Sequence, residues 1–166
     1  MTPRPLDLIS HWQFTAPLAP VWAALADPAG WHRWWPAIGP ARRLPAGEPG
    51  LAAQRLGLGL AWAAGGPLRG EIALATLEAL PPKRLRQRSG AVPGAKQALL
   101  QGECIWLLRS DAGLTQVTPV WRLDPCPGML GWLQPAWAPL LKALHGRVMR
   151  AGALGLARHL GAALPR

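Results

Sequence analysis

Apolar residues recur along this chain at two spacings, and each spacing predicts a different kind of element. Between Leu6 and Phe14 the large apolar side chains Leu6, Leu8, Trp12 and Phe14 share one parity, with Asp7, His11 and Gln13 on the other. That alternation is the pattern of a half-buried strand. From Leu18 the spacing lengthens, and Leu18, Val21, Trp22 and Leu25 make one face of a helix. Thr15 ahead of Ala16 and Pro17 supplies its start signal, since proline is tolerated in a first turn where its N–H would be unpaired anyway. Asp27-Pro28 repeats the signal and predicts a second short helix from Pro28 to about Trp35, stopped by Pro36.

From Ile38 to Leu123 short apolar runs alternate with Gly and Pro clusters, at 45–50, 65–67, 81–82, 89–94 and 110–113. The runs lie too close together for intervening helices, so they predict an antiparallel meander. Taking Ser110 to Gly113 as a four-residue turn pairs Arg109 with Leu114, Trp106 with Val117 and Cys104 with Pro119. Cys104, Trp106, Leu108, Val117 and Trp121 then face inward, with Glu103, Arg109 and Gln116 outward. Across Pro81-Pro82 the same logic turns Ile72, Leu74, Leu85 and Gln87 inward, and sends Arg84, Arg86 and Arg88 to solvent.

The final segment, Pro135 to Leu164, reads as one long amphipathic helix. At 100° per residue Trp137, Leu141, Leu144, Val148, Ala151, Gly152, Gly155 and Ala162 form a stripe, away from Lys142, Arg147, Arg150 and Arg158. Its bulky part, Trp137 to Val148, is expected to face a ligand space, and its small part, Ala151 to Gly155, to lie close against the sheet or the short helices. Strand, two short helices, antiparallel strands and a long helix make an α+β fold in which the last helix covers the apolar sheet face.

Composition narrows the function classes. The 166 residues suit one domain, 1–166. A net charge of +10 invites a nucleic-acid reading, but the 18 basic residues include only three lysines (Lys83, Lys96, Lys142) and form no block. Compositional bias is their expected source, with a functional basic patch as the alternative, and no nucleic-acid partner is expected. No run of about 18 apolar residues is present, and Met1 to Leu8 lacks the apolar core of a signal peptide. No transmembrane segment and a cytoplasmic location are therefore expected. Cys104 and Cys126 have no metal spacing and the four histidines are scattered, so reduced thiols, no metal and no cofactor are expected.

The run Ala16-Pro-Leu-Ala-Pro-Val-Trp-Ala-Ala-Leu-Ala-Asp-Pro, followed by Trp31-His-Arg-Trp-Trp-Pro36, resembles the opening of the SRPBCC superfamily (START-like, polyketide cyclase/dehydrase type). His145-Gly-Arg-Val-Met-Arg-Ala-Gly-Ala-Leu-Gly-Leu156 resembles its closing helix. The resemblance implies a helix-grip fold: a seven-stranded antiparallel sheet curved around a long C-terminal helix, with two short helices between strands 1 and 2. Its members include lipid carriers, ligand sensors, aromatase/cyclases and stress proteins. This chain has no tyrosine, one phenylalanine and ten tryptophans, so a mechanism that needs a pocket tyrosine does not carry over.

The expected function is binding of a small hydrophobic or amphipathic ligand (a lipid, polyketide or aromatic) between the sheet and the C-terminal helix. Its expected wall comprises Trp35, Trp62, Leu74, Gln87, Cys104, Trp106, Val117, Trp121, Trp137, Leu141, Leu144, His145 and Val148. For Trp35, Trp62, Trp106, Trp121 and Trp137, cavity lining and plain core packing both remain open. Trp12, Trp22, Trp31 and Trp34 are assigned to packing around the short helices. His145, roughly 80° from Trp137 on the helix, is the candidate acid or base, against a boundary histidine bonded to solvent or backbone. Two alternatives stand beside binding: a cyclase or dehydratase using the same cavity, and a non-catalytic interaction protein with a filled core. A cavity of roughly 300 Å³ or more touching Leu141, Leu144 and Trp106 would favour binding or catalysis, whereas a packed interior would sink both.

Overall fold

A computed structural model describes residues 5–44, 55–61, 69–95, 101–124 and 134–164. The first strand is broken in two, β1 (Leu6–Ile9) and β2 (Trp12–Phe14). Helix α1 (Leu18–Ala26) and a 3₁₀ helix (Pro28–Arg33) follow, then β3 (Ile38–Arg43), β4 (Arg55–Ala61), β5 (Arg69–Leu80), β6 (Arg84–Gly90), β7 (Gly102–Asp111) and β8 (Leu114–Leu123). The long helix α2 (Gln134–His159) closes the order. All strand pairs are antiparallel, in the order β1-β8-β7-β6-β5-β4-β3, with β2 also on β8.

Eight strands stand where seven were expected because the first is interrupted. Ile9 pairs with Val120 and Trp12 with Val117, so the break at Ser10-His11 lies opposite Thr118 and Pro119. Proline has no N–H to give a ladder, and strands commonly break or bulge beside one. Ser10 N–H still donates to the Pro119 carbonyl at 3.1 Å. Leu8, Trp12 and Phe14 keep the same buried face on both sides of the break.

The β7–β8 hairpin is tighter than expected, since Asp111 pairs with Leu114 around the two residues Ala112 and Gly113. Both carry positive φ (48° and 79°), as a two-residue hairpin turn requires. Every pairing therefore moves by two residues: Trp106 faces Pro119 and Cys104 faces Trp121. An even shift leaves side-chain parity untouched. Cys104, Trp106, Leu108, Val117 and Trp121 are buried, and Arg109 is exposed. On the β5–β6 hairpin Ile72, Leu74, Leu85 and Gln87 point inward. Outside, arginines alternate with carboxylates, and Arg84 with Glu78, Arg88 with Asp124 and Arg122 with Asp7 form ion pairs at 3.5, 2.9 and 2.9 Å.

Thr15 does not cap α1. The helix starts at Leu18, two residues later than expected, with Pro17 at its N-cap. The Thr15 hydroxyl instead accepts from the Ala163 N–H at 2.9 Å, and Thr15 N–H donates to the Ala163 carbonyl at 3.1 Å. This ties the chain beyond α2 to the end of β2. The long helix stops before Leu164 because Gly161 turns left-handed (φ 61°), with Gly161 N–H donating to Arg158 O and Ala162 N–H to Ala157 O. That pair of bonds is the Schellman arrangement that satisfies the last carbonyls of a helix.

The buried face of α2 is rotated from the expected stripe. Met149, Gly152, Ala153, Gly155, Leu156 and Ala157 are buried, Val148 is partly so, and Leu140, Gly146, Arg147, Arg150 and Leu154 are exposed. On the helical wheel the centre of burial lies roughly 90° from Trp137, near His145 and Met149. His145, expected at the edge, is near the middle.

Candidate ligand-binding cavity

The sheet and α2 enclose a narrow cavity of about 50 Å³. That holds a few waters or a small organic group and is well below the roughly 300–1,000 Å³ of drug-sized sites. The sheet supplies Leu8 from β1, Leu58 from β4, Ile72 and Leu74 from β5, and Trp121 and Leu123 from β8. The short-helix region adds Trp31, Trp35, Ala37 and Ile38, and α2 adds His145, Val148 and Met149. Strand parity explains the sheet's share, because each of these residues lies on the inward face of its strand. The rotated face of α2 explains why His145 and Met149 reach the cavity.

Beside it lies a cluster of tryptophans that is packed rather than open. Trp12, Trp31, Trp35 and Trp106 meet edge-on or tilted with ring centroids 5.5–6.2 Å apart, and Trp34 stacks on Trp35 at 5.4 Å. Such geometries are those aromatic quadrupoles favour. Trp31 Nε1–H donates to the Leu25 carbonyl at 3.1 Å, Trp35 Nε1–H to the Val148 carbonyl at 3.0 Å, and Trp106 Nε1–H to Gln87 Oε1 at 2.9 Å. The small residues of α2 make room for this layer. A Cβ on Gly152 would stand 2.7 Å from the Trp35 ring, and one on Gly155 would collide with the Trp34 carbonyl.

Trp121 and His145 differ from that cluster. Their rings meet edge to face with centroids 6.5 Å apart. Trp121 Nε1 and His145 Nε2 are buried without a hydrogen-bond partner among the described residues. Buried polar atoms are nearly always paired, so these are two exceptions on neighbouring side chains, although the surface the cavity itself presents is apolar. Burial lowers the His145 pKa to about 4, which leaves the imidazole neutral at pH 7. It accepts a proton weakly and holds none to donate as an acid. No Asp, Glu, Lys or Arg is among the cavity-lining residues described.

Of the residues expected in the wall, Trp35, Leu74, Trp121, His145 and Val148 line the cavity. Gln87, Cys104, Trp106 and Val117 are buried but belong to the packed core. Gln87 spends its amide between Trp106 and Thr76, and burial pushes the Cys104 thiol well up, as for an inert core cysteine. Leu141 and Leu144 are only partly buried and are not among the cavity residues, because the helix face turns away from them. Trp62 and the Trp137 side chain lie outside the described residues. Trp31, assigned to packing, both packs and lines. Met149, Leu58, Ile72, Leu8, Leu123, Ile38 and Ala37 were missed as wall residues; the inward parity of Ile72, Leu8 and Leu123 was readable, whereas the rotation that brings in Met149 was not.

A second, open cleft of about 440 Å³ lies across the packed layer, between His32, Arg33 and Trp34 and the end of α2 at Arg158 and His159. His32 Nδ1 lies 2.9 Å from the Ala29 carbonyl and His11 Nδ1 3.5 Å from the Thr118 hydroxyl, partners the sequence did not indicate. Among the described residues no group of three metal-ligating side chains occurs, and no helix is long and apolar enough to cross a membrane.

Known structures share this architecture at low sequence identity. The Zhui aromatase/cyclase from Streptomyces sp. R1128 superposes with a TM-score of 0.71 at 16% identity, covering 95% of this chain and 94% of that one. A START superfamily protein from Mycobacterium smegmatis gives 0.66 at 15%, covering 93% and 97%. The di-domain ARO/CYC BexL from the BE-7585A biosynthetic pathway gives 0.68 at 15%, with 98% of this chain spanning 52% of that one. These likenesses establish the helix-grip fold. No functionally curated protein matches by sequence. A family model described as polyketide cyclase/dehydrase and lipid transport matches residues 11–161, and the chain belongs to that family.

Proposed function

We propose that this protein binds one small hydrophobic or amphipathic molecule between the inner sheet face and the His145–Met149 segment of α2, acting as a single domain over 1–166. The observation that carries the reading is the cavity itself: an apolar space between the inner sheet face and α2, bordered by Trp121 and His145. Affinity comes from apolar area removed from water, about 25 cal/mol per Å². The narrow space selects a single ring or short chain, or widens by rotation of flexible side chains such as Met149. A filled-core interaction protein is the second reading, and it is favoured by the cavity's size, about 50 Å³ against the roughly 300 Å³ expected, and by the absence of Leu141, Leu144 and Trp106 from its lining.

The cyclase or dehydratase reading uses the same cavity. It asks for a group that delivers and removes protons near neutral pH, and His145 is the titratable side chain on the wall. With its pKa near 4, His145 polarises or accepts from a ligand better than it protonates one. Binding without chemistry is therefore the better-supported reading, set in the cytoplasm and with no nucleic-acid partner.

Native mass spectrometry of protein purified from its source tests the proposal. A single retained organic molecule is expected, lost in a Leu58→Trp variant that fills the cavity. Retention that is unchanged in Leu58→Trp would move the ligand elsewhere.

A further inference from the structure

Charge is spread unevenly over the surface. On the sheet side Arg42 is ion-paired with Glu71, Arg84 with Glu78, Arg86 with Glu103, Arg88 with Asp124 and Arg122 with Asp7. Helix α2 carries Lys142, Arg147, Arg150 and Arg158, has no acidic residue, and forms no ion pair among the described residues. At 100° per residue Arg147, Arg150 and Arg158 share a stripe about 80° wide with Leu140 and Leu154, on the side opposite the buried Met149, Gly152 and Leu156. All five are exposed, the two leucines at 71% and 43%. Toward the helix end the stripe meets the open cleft, where His32, Arg33 and His159 join Arg158 and no carboxylate lies among the described wall residues. Compositional bias explains the number of arginines, but not why the described ion pairs all lie on the sheet side and none on α2.

We propose that this outward face of α2, from Leu140 to Arg158, docks the protein on the surface of an anionic lipid bilayer. The stripe runs about 27 Å along the helix at about 1.5 Å per residue, so the helix can lie flat on such a surface. Its guanidinium groups match the phosphate and carboxylate oxygens of anionic headgroups, and Leu140 and Leu154 enter the acyl boundary, removing from water apolar area that is otherwise exposed. A nucleic acid answers the charge but leaves both leucines in water, because its binding rests on phosphate neutralisation. The other exposed leucines, Leu80 and Leu107, flank Arg84, whose charge Glu78 already offsets, so the sheet lacks this combination of free cations and apolar side chains. Docking through this face needs nothing from the cavity and stands apart from the binding reading.

Cosedimentation with vesicles tests this, using phosphatidylcholine alone and phosphatidylcholine with about 30% phosphatidylserine. Binding to the anionic vesicles is expected to be tighter by about tenfold or more, and to weaken as salt rises. Arg147→Gln with Arg150→Gln is expected to weaken it about 25-fold, at about fivefold per arginine. Arg84→Gln with Arg88→Gln removes the same charge from the sheet and is expected to change it less than about twofold. Leu154→Ser is expected to weaken vesicle binding about fivefold and to leave binding to a duplex oligonucleotide unchanged. Equal binding to the two kinds of vesicle, or equal losses from the α2 and sheet variants, overturns the proposal. So does a Leu154→Ser variant that holds the vesicles as tightly as wild type, or tighter binding to the duplex than to the anionic vesicles, which assigns the face to nucleic acid. Should the variants fail to fold, the wild type decides, because failure to sediment with the anionic vesicles at low salt overturns the docking.

Discussion

Trp106 and Trp121 sit on the inward face of neighbouring strands, yet the protein uses them in opposite ways. Trp106 is fully buried within a layer of edge-on indoles, and its N–H is held by Gln87. Trp121 faces a cavity, meets His145 edge to face, and has no acceptor among the described residues. Residue type, parity and burial are the same for both. What separates them is polar satisfaction, since Gln87 closes on the Trp106 N–H and nothing among the described residues closes on that of Trp121.

The division runs along α2 as well. Gly152 and Gly155 press its backbone onto Trp34 and Trp35, whereas His145 and Met149, one to two turns earlier, border the cavity. Alanine is the better helix former by about 1 kcal/mol, but Gly155→Ala should destabilise by about 3 kcal/mol or more, because its Cβ meets backbone that cannot move aside. Urea denaturation measures this, and a stabilised Gly155→Ala would break the claim of close packing. Gln87→Leu should cost about 2 kcal/mol by the same measurement, through the Trp106 N–H it leaves unpaired.

Smaller effects are expected on the cavity side. The His145 pKa falls from 6.5 to about 4 on folding, so as pH drops the unfolded chain takes the proton first. Stability from this group is whole above pH 6.5, declines between pH 6.5 and about 4, and falls no further below. After allowance for the partly exposed ring the loss is on the order of 1–2 kcal/mol. His145→Leu should flatten that part of the stability–pH curve. The carboxyls of Asp7 and Glu71, held down by Arg122 and Arg42, act below their ordinary values of 3.8 and 4.5 and leave most of this window clear. Trp121→Phe should cost only about 1 kcal/mol without ligand, since it borders open space and gives up no protein hydrogen bond.

Much of the fold was legible because alternation and turn residues are local signals. The inward set Cys104, Trp106, Leu108, Val117 and Trp121 survived a two-residue error in register, since parity repeats every two residues. The cavity was less legible because it depends on the rotation of α2. The stripe drawn through Trp137, Leu144 and Gly155 counted small and large residues alike, while the observed face follows Met149, Ala153 and Leu156. That rotation is set by tertiary fit of the glycines onto Trp34 and Trp35, which no periodicity encodes. Likewise, nothing local tells that Gln87 closes on Trp106 and leaves Trp121 without it.

The central claim, a ligand seat beside α2 rather than among the clustered tryptophans, is tested most directly by methyl-resolved NMR during titration with p-xylene. Shifts are expected at Leu58, Ile72, Leu74, Leu123, Val148 and Met149, with Val117 and the Trp106 indole unmoved. Shifts centred on Val117 and Trp106, with Leu58 and Met149 silent, would contradict it.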